Sequence, residues 1–451
     1  MRFARTLITV TAATAVAFGA LAAVPAGAVP VPTTAGAPAA VAVPDATDVV
    51  AKKKATKKPK ETKKPSTYKV YPAQFGLHVS GVNQGADWPT VRVGSLRLWD
   101  TSTGWAQVEK KPGEYDWTSL DAALAAAKKA GTKDILLVLG TTPEWAATKI
   151  VEGYDYPLPG SASAPKNFDD WDTWVRTVAT RYQGQIRAYQ VWNEASLLNF
   201  WNGTPDQMGE LTERAYKIIK SIDPKAIVVA ASTTTRLEGS YLRFFPPYLQ
   251  SLKERGWPVD AFAGHFYPPG DGTPNDRVAL IQLVQNELKK AGAPKKPLWD
   301  TESNFGLAGP GDIPKQELTG SKAAAWVSRA LLDSVRTGLA RTYWYLWSPP
   351  YPLLGIQLNS QTTSAKAWQT TYDWVAGGKV ACTTYKNLVR CTVTKGGKTS
   401  TIAFATTGTR TILSPTGTDQ RCNVLGSCVS AKARAKVKVG GSPVWFGPAT
   451  S

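Results

Sequence analysis

The feature that most constrains this chain is an alternation. Between Tyr71 and Val375, short apolar runs take turns with helix-patterned stretches. The runs are Phe75–Val79, Ser95–Trp99, Ile135–Leu139, Ala188–Trp192, Ile227–Ala231, Ala261–Phe266, Leu298–Thr301 and Thr342–Leu346. Helical stretches at Leu120–Ala130, Trp171–Tyr182, Met208–Ile222, Val278–Ala291 and Ala323–Thr337 separate most of them, and Lys366–Val375 can close a ring. Strands alternating with helices are the pattern of an α/β fold. Eight strands in about 300 residues fit a (β/α)8 TIM barrel better than an open doubly wound sheet. No Gly-rich phosphate loop follows the first strand, which also argues against the open sheet.

The texture changes after Gly377-Gly378. Short Thr- and Val-rich segments (Arg390–Thr394, Ser400–Ala405, Ala435–Val439, Pro443–Phe446) alternate with Gly, Asn and Ser turns, as in a small antiparallel β-domain. The expected organisation is therefore a barrel over 67–378 followed by a β-domain over 379–451. Ahead of them, residues 1–28 read as a secretory signal: Arg2 and Arg5 precede an apolar stretch from Leu7 to Val24, and Ala26-Gly27-Ala28 offers a cleavage site. An uncleaved anchor is the alternative, although Ala, Thr and Gly make the stretch weakly apolar for a permanent span. Residues 29–66, rich in Ala, Val and Pro and then in Lys and Pro, read as a disordered tether, either a solubilising spacer or a wall-binding arm.

All four cysteines follow residue 380. Export permits disulfides, and the local pairs Cys382/Cys391 and Cys422/Cys428 are favoured among three connectivities. A zinc site is disfavoured, because no His lies near these cysteines and no CxxC occurs.

The net charge of +19 is unevenly spread. Residues 1–66 hold ten Lys/Arg against three acids, and 379–451 hold eleven against Asp419 alone, while 67–378 hold 32 against 30. A nucleic-acid enzyme would carry its charge beside its active site, so nucleic acid is not an expected partner. The basic flanks suit an anionic cell-wall surface instead. The chain is expected to be secreted and monomeric, with no stable membrane span.

In a TIM barrel, chemistry sits at the carboxyl ends of the strands. The run Ala188–Trp192 ends in Asn193-Glu194, and the run Pro297–Thr301 ends in Glu302. These are the fourth and seventh strands, far apart in sequence yet opening onto one mouth. Glycoside hydrolysis needs two carboxyl groups flanking the scissile bond, one protonated to assist the leaving oxygen and one ionised. Glu194 and Glu302 supply such a pair, and this chemistry requires no cofactor. Either Glu alone could be an ion-pair partner or a helix cap. Asp300, two residues before Glu302, is expected by strand alternation to point the same way but deeper, as support. Glu144 is a further acid near a strand end.

VWNEA (191–195) and DTES (300–303) resemble the acid/base and nucleophile strands of clan A glycoside hydrolases. YQVWNEASLLNFWNGT (189–204) is similar to family 39, which includes β-xylosidases and exopolysaccharide hydrolases, with Ala195 where that family usually has Pro. LRLWDTSTGWAQVEKKPGEYDW (96–117) and LVLGTTPEWAA (137–147) resemble the second- and third-strand regions of such barrels. The resemblance covers about 75–375. It implies a retaining enzyme acting on a β-linked glycan, with Glu194 as acid/base and Glu302 as nucleophile.

The same resemblance assigns further roles. Asn193 would donate to the sugar 2-OH. Arg97 would pair with Glu302 and hold it ionised, unless it is only a structural salt bridge. His265 and Tyr267, in AGHFY (263–267), would flank the nucleophile, with Tyr267 bonding it. His78, the other of the two histidines, is equally a ligand contact or a satisfied core residue. Trp347 matches the clan's sugar platform after the eighth strand. Trp145 is divided between platform and core, and Trp99 and Trp299 are assigned to core. A polysaccharide substrate is expected, because a secreted enzyme with basic flanks works at a surface. The competing readings are a non-catalytic glycan-binding protein on a degenerate barrel, against which both Glu residues argue, and a barrel esterase, for which no GxSxG elbow exists.

Overall fold

The computed structural model describes residues 67–309 and 314–449. The expected signal at 1–28 and tether at 29–66 lie outside the described residues. After a short β1 (Thr67–Lys69), the barrel strands are β2 (Phe75–Val79), β3 (Ser95–Leu98), β4 (Ile135–Val138), β5 (Ala188–Gln190), β6 (Ile227–Val229), β7 (Phe262–His265), β8 (Leu298–Ser303) and β9 (Arg341–Trp347). The helices are α1 (Trp105–Val108), α2 (Thr118–Lys129), α3 (Phe168–Arg181), α4 (Pro205–Ile222), α5 (Glu238–Glu254), α6 (Pro274–Lys290), α7 (Gly320–Thr337) and α8 (Thr363–Val375).

The eight strands β2–β9 form one parallel sheet in the order β6-β5-β4-β3-β2-β9-β8-β7. Its two ends meet where Val229 bridges Ala261, and Ala230 N–H donates to Ala261 O at 2.9 Å, so the sheet closes into a TIM barrel. Inside it, Leu136, Ala188, Val229, Ala261, Ala263, Trp299 and Tyr343 pack as one buried layer. Gly76 makes room for that layer: a Cβ there would fall 2.3 Å from the Tyr343 ring. Helix starts are set locally. Thr204 and Thr273 form capping boxes with Gln207 and Asp276, each followed by Pro at the first helical position of α4 and α6.

Helix α5 is not among the helical stretches named from the sequence, and Pro246 and Pro247 lie inside it. An interior Pro costs about 3 kcal/mol or more. The helix persists because Tyr241, Phe244, Phe245, Tyr248, Leu249 and Leu252 are all buried along one face. At about 1.5–3 kcal/mol for each buried side chain, that face outweighs the two prolines.

The antiparallel sheet is built from β10 (Lys379–Tyr385), β11 (Leu388–Lys395), β12 (Lys398–Ala405), β13 (Arg410–Leu413), β14 (Gln420–Cys422), β15 (Cys428–Ser430), β16 (Lys436–Val439) and β17 (Val444–Gly447). Its main sheet runs β1-β10-β11-β12-β17-β14-β15, with β13 and β16 paired separately. Cys382 faces Cys391 across β10 and β11, and Cys422 faces Cys428 across β14 and β15; both pairs are disulfides.

One boundary differs from expectation. Thr67–Lys69 pairs with Lys379–Ala381 and so belongs to the antiparallel sheet, not to the barrel. The barrel therefore enters and leaves through that sheet, with Val70 N–H donating to Gly378 O and Gly377 N–H to Val70 O. Barrel and sheet pack as one compact unit. The Arg329 guanidinium on α7 covers the Phe404 ring of β12 at 4.5 Å, and Asn275 at the start of α6 donates to Thr406 O. No helix among the described residues is long and apolar enough to cross a membrane.

Candidate active site

Two carboxylates meet at the carboxyl ends of β5 and β8, each put there by an irregularity of the backbone. Glu194 lies four residues beyond β5 with φ 43°, a left-handed conformation uncommon for a residue with a side chain. The segment after β6 holds that turn: Glu194 N–H donates to Ser232 Oγ at 2.9 Å, and Ala195 N–H donates to Ser232 O.

Glu302 depends on a β-bulge. Gly264 pairs with Asp300 and His265 with Glu302, so β8 carries one residue more than β7 across the same step. Trp299 faces the barrel interior, and Asp300 therefore faces outward, where Arg277 of α6 bonds it at 2.5 Å. Thr301 returns inward to the Gln190 amide at 3.3 Å, and the bulge turns Glu302 inward as well. Strand alternation thus misplaced Asp300. It does not stand beneath Glu302 but joins strand to helix, where burial raises its pKa to about 6 against the pull of Arg277.

Arg97, wholly buried on β3, organises the floor. Its Nη1 donates to Glu302 Oε1 at 2.7 Å, its Nη2 to Asn193 Oδ1 at 2.7 Å, and its Nε to Gln190 Oε1 at 2.9 Å. Tyr267 donates its hydroxyl to the other Glu302 oxygen at 2.9 Å. Because Asn193 Oδ1 is committed to Arg97, the amide must present its Nδ2 hydrogens elsewhere. His78 lies against Thr301 O at 3.1 Å and Arg97 Nη1 at 3.2 Å, with its ring edge-on to Tyr345 at 4.9 Å.

His265 joins the two acids. Its Nδ1 is 2.9 Å from Glu194 Oε1 and 3.4 Å from Glu302 Oε2. Burial pushes its pKa down to about 3, so the ring is neutral at ordinary pH. Its Nε2 is buried without a partner among the described residues. The tautomer with hydrogen on Nδ1 leaves only a bare lone pair there, which costs less than an orphaned N–H.

Burial raises the pKa of both glutamates. In Glu302, His265 and Arg97 oppose the shift, while Glu194 and Asp100 add to it. In Glu194 the Thr234 hydroxyl at 2.9 Å and the more distant Arg236 and Arg97 oppose it. Two carboxyls this close titrate as a pair, and the shared proton goes where the donors are weaker. Both oxygens of Glu302 receive donors, from Arg97 and Tyr267, whereas the contacts of Glu194 with Thr234 and His265 fall on Oε1 alone, an arrangement that favours the charge on Glu302. One ligand atom each from Glu194, His265 and Glu302 lie within 4.8 Å of one another, a spacing that would admit a cation. Hydrogen bonds already use these atoms, and a cation there would face the Arg97 guanidinium 2.7 Å from Glu302.

Of the residues singled out in the sequence, Glu194, Glu302, Arg97, Asn193, His265, Tyr267 and His78 come together here. The two tryptophans do not. Trp347 is only 8% exposed and packs within the hydrophobic core. The cause is again register. Leu77 pairs with Trp344 but Val79 with Trp347, so an extra residue in β9 puts Trp347 out of phase with Tyr345. Trp145 donates its indole N–H to Glu109 O and packs edge-on against Trp105.

Three site residues escaped the sequence reading. Asp100, just past β3 with φ 59°, accepts the hydroxyls of Tyr345 at 2.7 Å and Tyr156 at 3.0 Å. Its carboxyl is solvent-reachable yet crowded by protein, as on the floor of a cleft, and that crowding raises its pKa. Its signal was available: Asp100 ends the apolar run Leu96–Trp99, as Glu194 and Glu302 end theirs. Tyr345 and Tyr156 carried no such mark.

No known protein-family profile matches the chain. A β-xylosidase of Geobacillus stearothermophilus is 24% identical over 211 residues, 41% of this chain and 40% of that one. The chain thus matches well under two thirds of the length of that relative. Among solved structures, a family 39 β-xylosidase from Caulobacter crescentus is 16% identical, with 84% of this chain and 97% of that one aligned at a TM-score of 0.59. A glucosidase from Croceicoccus marinus is 12% identical, with 85% and 96% aligned at 0.57. A bifunctional glucanase-xylanase from a metagenome library is 14% identical, with 85% and 97% aligned at 0.59. The chain is similar to all of these in fold.

Proposed function

We propose that this chain is a secreted, retaining glycoside hydrolase that cleaves β-linked glycans by double displacement, with Glu194 as acid/base and Glu302 as nucleophile. The observation that carries the reading is the asymmetric pair: two carboxyl groups with an oxygen of each within 4.8 Å of the other, one held by a guanidinium and a phenol, the other without a bonded cation. Retaining enzymes hold their carboxyl groups about 5–5.5 Å apart, inverting ones about 6.5–9.5 Å, and the spacing supports the former. The similarity to β-xylosidases and glucanases supports the same chemistry.

In the first step Glu302 attacks the anomeric carbon as the glycosidic C–O bond breaks, and Glu194 passes its proton to the leaving oxygen. The Asn193 amide, oriented by Arg97, donates to the sugar 2-OH. In the second step Glu194 takes a proton from water, which attacks the same carbon and releases Glu302. Tyr267 and Arg97 hold the Glu302 oxygens in line throughout. The two disulfides fit an exported protein, and the basic flanks would draw it to an anionic envelope polymer.

The test is Glu302→Ala with an activated aryl β-xyloside and added azide. Turnover should vanish and partly return with azide, giving a product of inverted configuration. Near-normal activity without azide would overturn the assignment.

A further inference from the structure

Away from the glutamates, a cavity of about 340 Å3 opens where α8 meets the antiparallel sheet. Trp374 from α8 and Trp445 from β17 line it, both half-buried, together with the Cys422–Cys428 disulfide. Lys395 and Lys398, at either end of the β11–β12 turn, stand at its edge. The volume lies at the lower end of small-ligand sites, about 300–1,000 Å3, room for one or two sugar rings.

The indole of Trp445 lies across its own strand. A Cβ on Gly447, two residues along the same strand face, would fall 2.4 Å from that ring, so glycine alone lets the indole lie across its own strand. The charges differ in how far they are used. Lys395 Nζ donates to Asp373 O at 2.8 Å. The Asp373 carboxylate, which also lines the cavity, is engaged by Arg92 at 3.4 Å and Gln369 at 2.7 Å. Lys398 is exposed and makes no ion pair among the described residues. Behind it lies a segment, 379–451, with eleven cationic side chains and one acidic one.

We infer that this cavity binds an acidic saccharide, a pyranose bearing a carboxylate, at a site separate from the barrel mouth. Indole faces take the apolar face of a sugar ring, and the uncommitted ammonium takes the carboxylate. A neutral sugar would leave that charge unused, a simple inorganic anion would leave both indoles unused, and an apolar peptide would leave the rim charges without counter-ions. The site would hold a polymer on the enzyme while the barrel acts elsewhere, and it does not depend on which residues are catalytic.

The test uses the full chain and tetragalacturonate, whose α-linkages a β-directed barrel leaves intact, with xylotetraose as the neutral control. Calorimetry and tryptophan fluorescence should detect saturable binding of tetragalacturonate that weakens with added salt. Trp445→Ala and Lys398→Glu should each weaken it at least tenfold, about 1.4 kcal/mol. Turnover of an aryl β-xyloside should stay within twofold of the parent in both. Lys398 is exposed at the first position of β12, so that variant tests the idea even if Trp445→Ala unfolds. No saturable binding, or binding indifferent to Lys398→Glu, would overturn the proposal. So would xylotetraose binding as tightly as tetragalacturonate.

Discussion

Arg97 holds three acceptors on three different nitrogens, and replacing it separates its geometric from its electrostatic work. In Arg97→Lys the charge remains but the fork is lost. A single ammonium that stays with Glu302 abandons Gln190 Oε1 and Asn193 Oδ1, both buried. Each orphaned acceptor costs about 1–3 kcal/mol, so unfolding stability should fall by about 2–6 kcal/mol. Asn193 also loses its orientation, and kcat/KM should drop about 100-fold. In Arg97→Met the charge goes too. Arg97 lowers the pKa of both glutamates, so its removal raises both. The acid limb of the pH–rate profile reports ionised Glu302 and the basic limb protonated Glu194, so both limbs should move to higher pH in Met and stay in place in Lys. Urea denaturation gives the first quantity and pH–rate profiles the second. Limbs that stay put in Arg97→Met, or full activity in Arg97→Lys, would refute the reasoning.

Other expectations follow from the same geometry. Glu194→Gln should lose activity most on substrates with poor leaving groups and spare the first step on activated aryl glycosides. It should also abolish the basic limb, because the raised pKa of Glu194 sets where activity falls as pH rises; equal losses on both substrate types would count against its role as acid. Asp100→Asn leaves one acceptor for two tyrosine hydroxyls, and it should raise KM more than it lowers kcat. Its stability cost should be only about 0.5–1.5 kcal/mol; an unchanged KM in steady-state assays would remove Asp100 from the substrate cleft.

The barrel was legible because strands covered by helices read as continuous apolar runs, and polar residues ending those runs stand out. That contrast found Glu194 and Glu302, and applied evenly it would have found Asp100. What could not be read were breaks in period. The bulge in β8 that turns Glu302 inward and Asp300 outward, and the extra residue in β9 that buries Trp347 and leaves Tyr345 beside His78, both violate strict alternation. Helix α5 contains two prolines whose local cost is outweighed by tertiary burial. The pairing of β1 with β10 joins residues more than 300 positions apart, and nothing in either segment marks the other.

The central claim is that Glu194 and Glu302 act by double displacement, so that two inversions at one carbon restore its configuration. The most direct measurement is proton NMR of the sugar first released from an aryl β-glycoside, recorded before mutarotation. Double displacement predicts that the β-anomer appears first and the α-anomer grows in later. Release of the α-anomer first would contradict it and require direct attack by water.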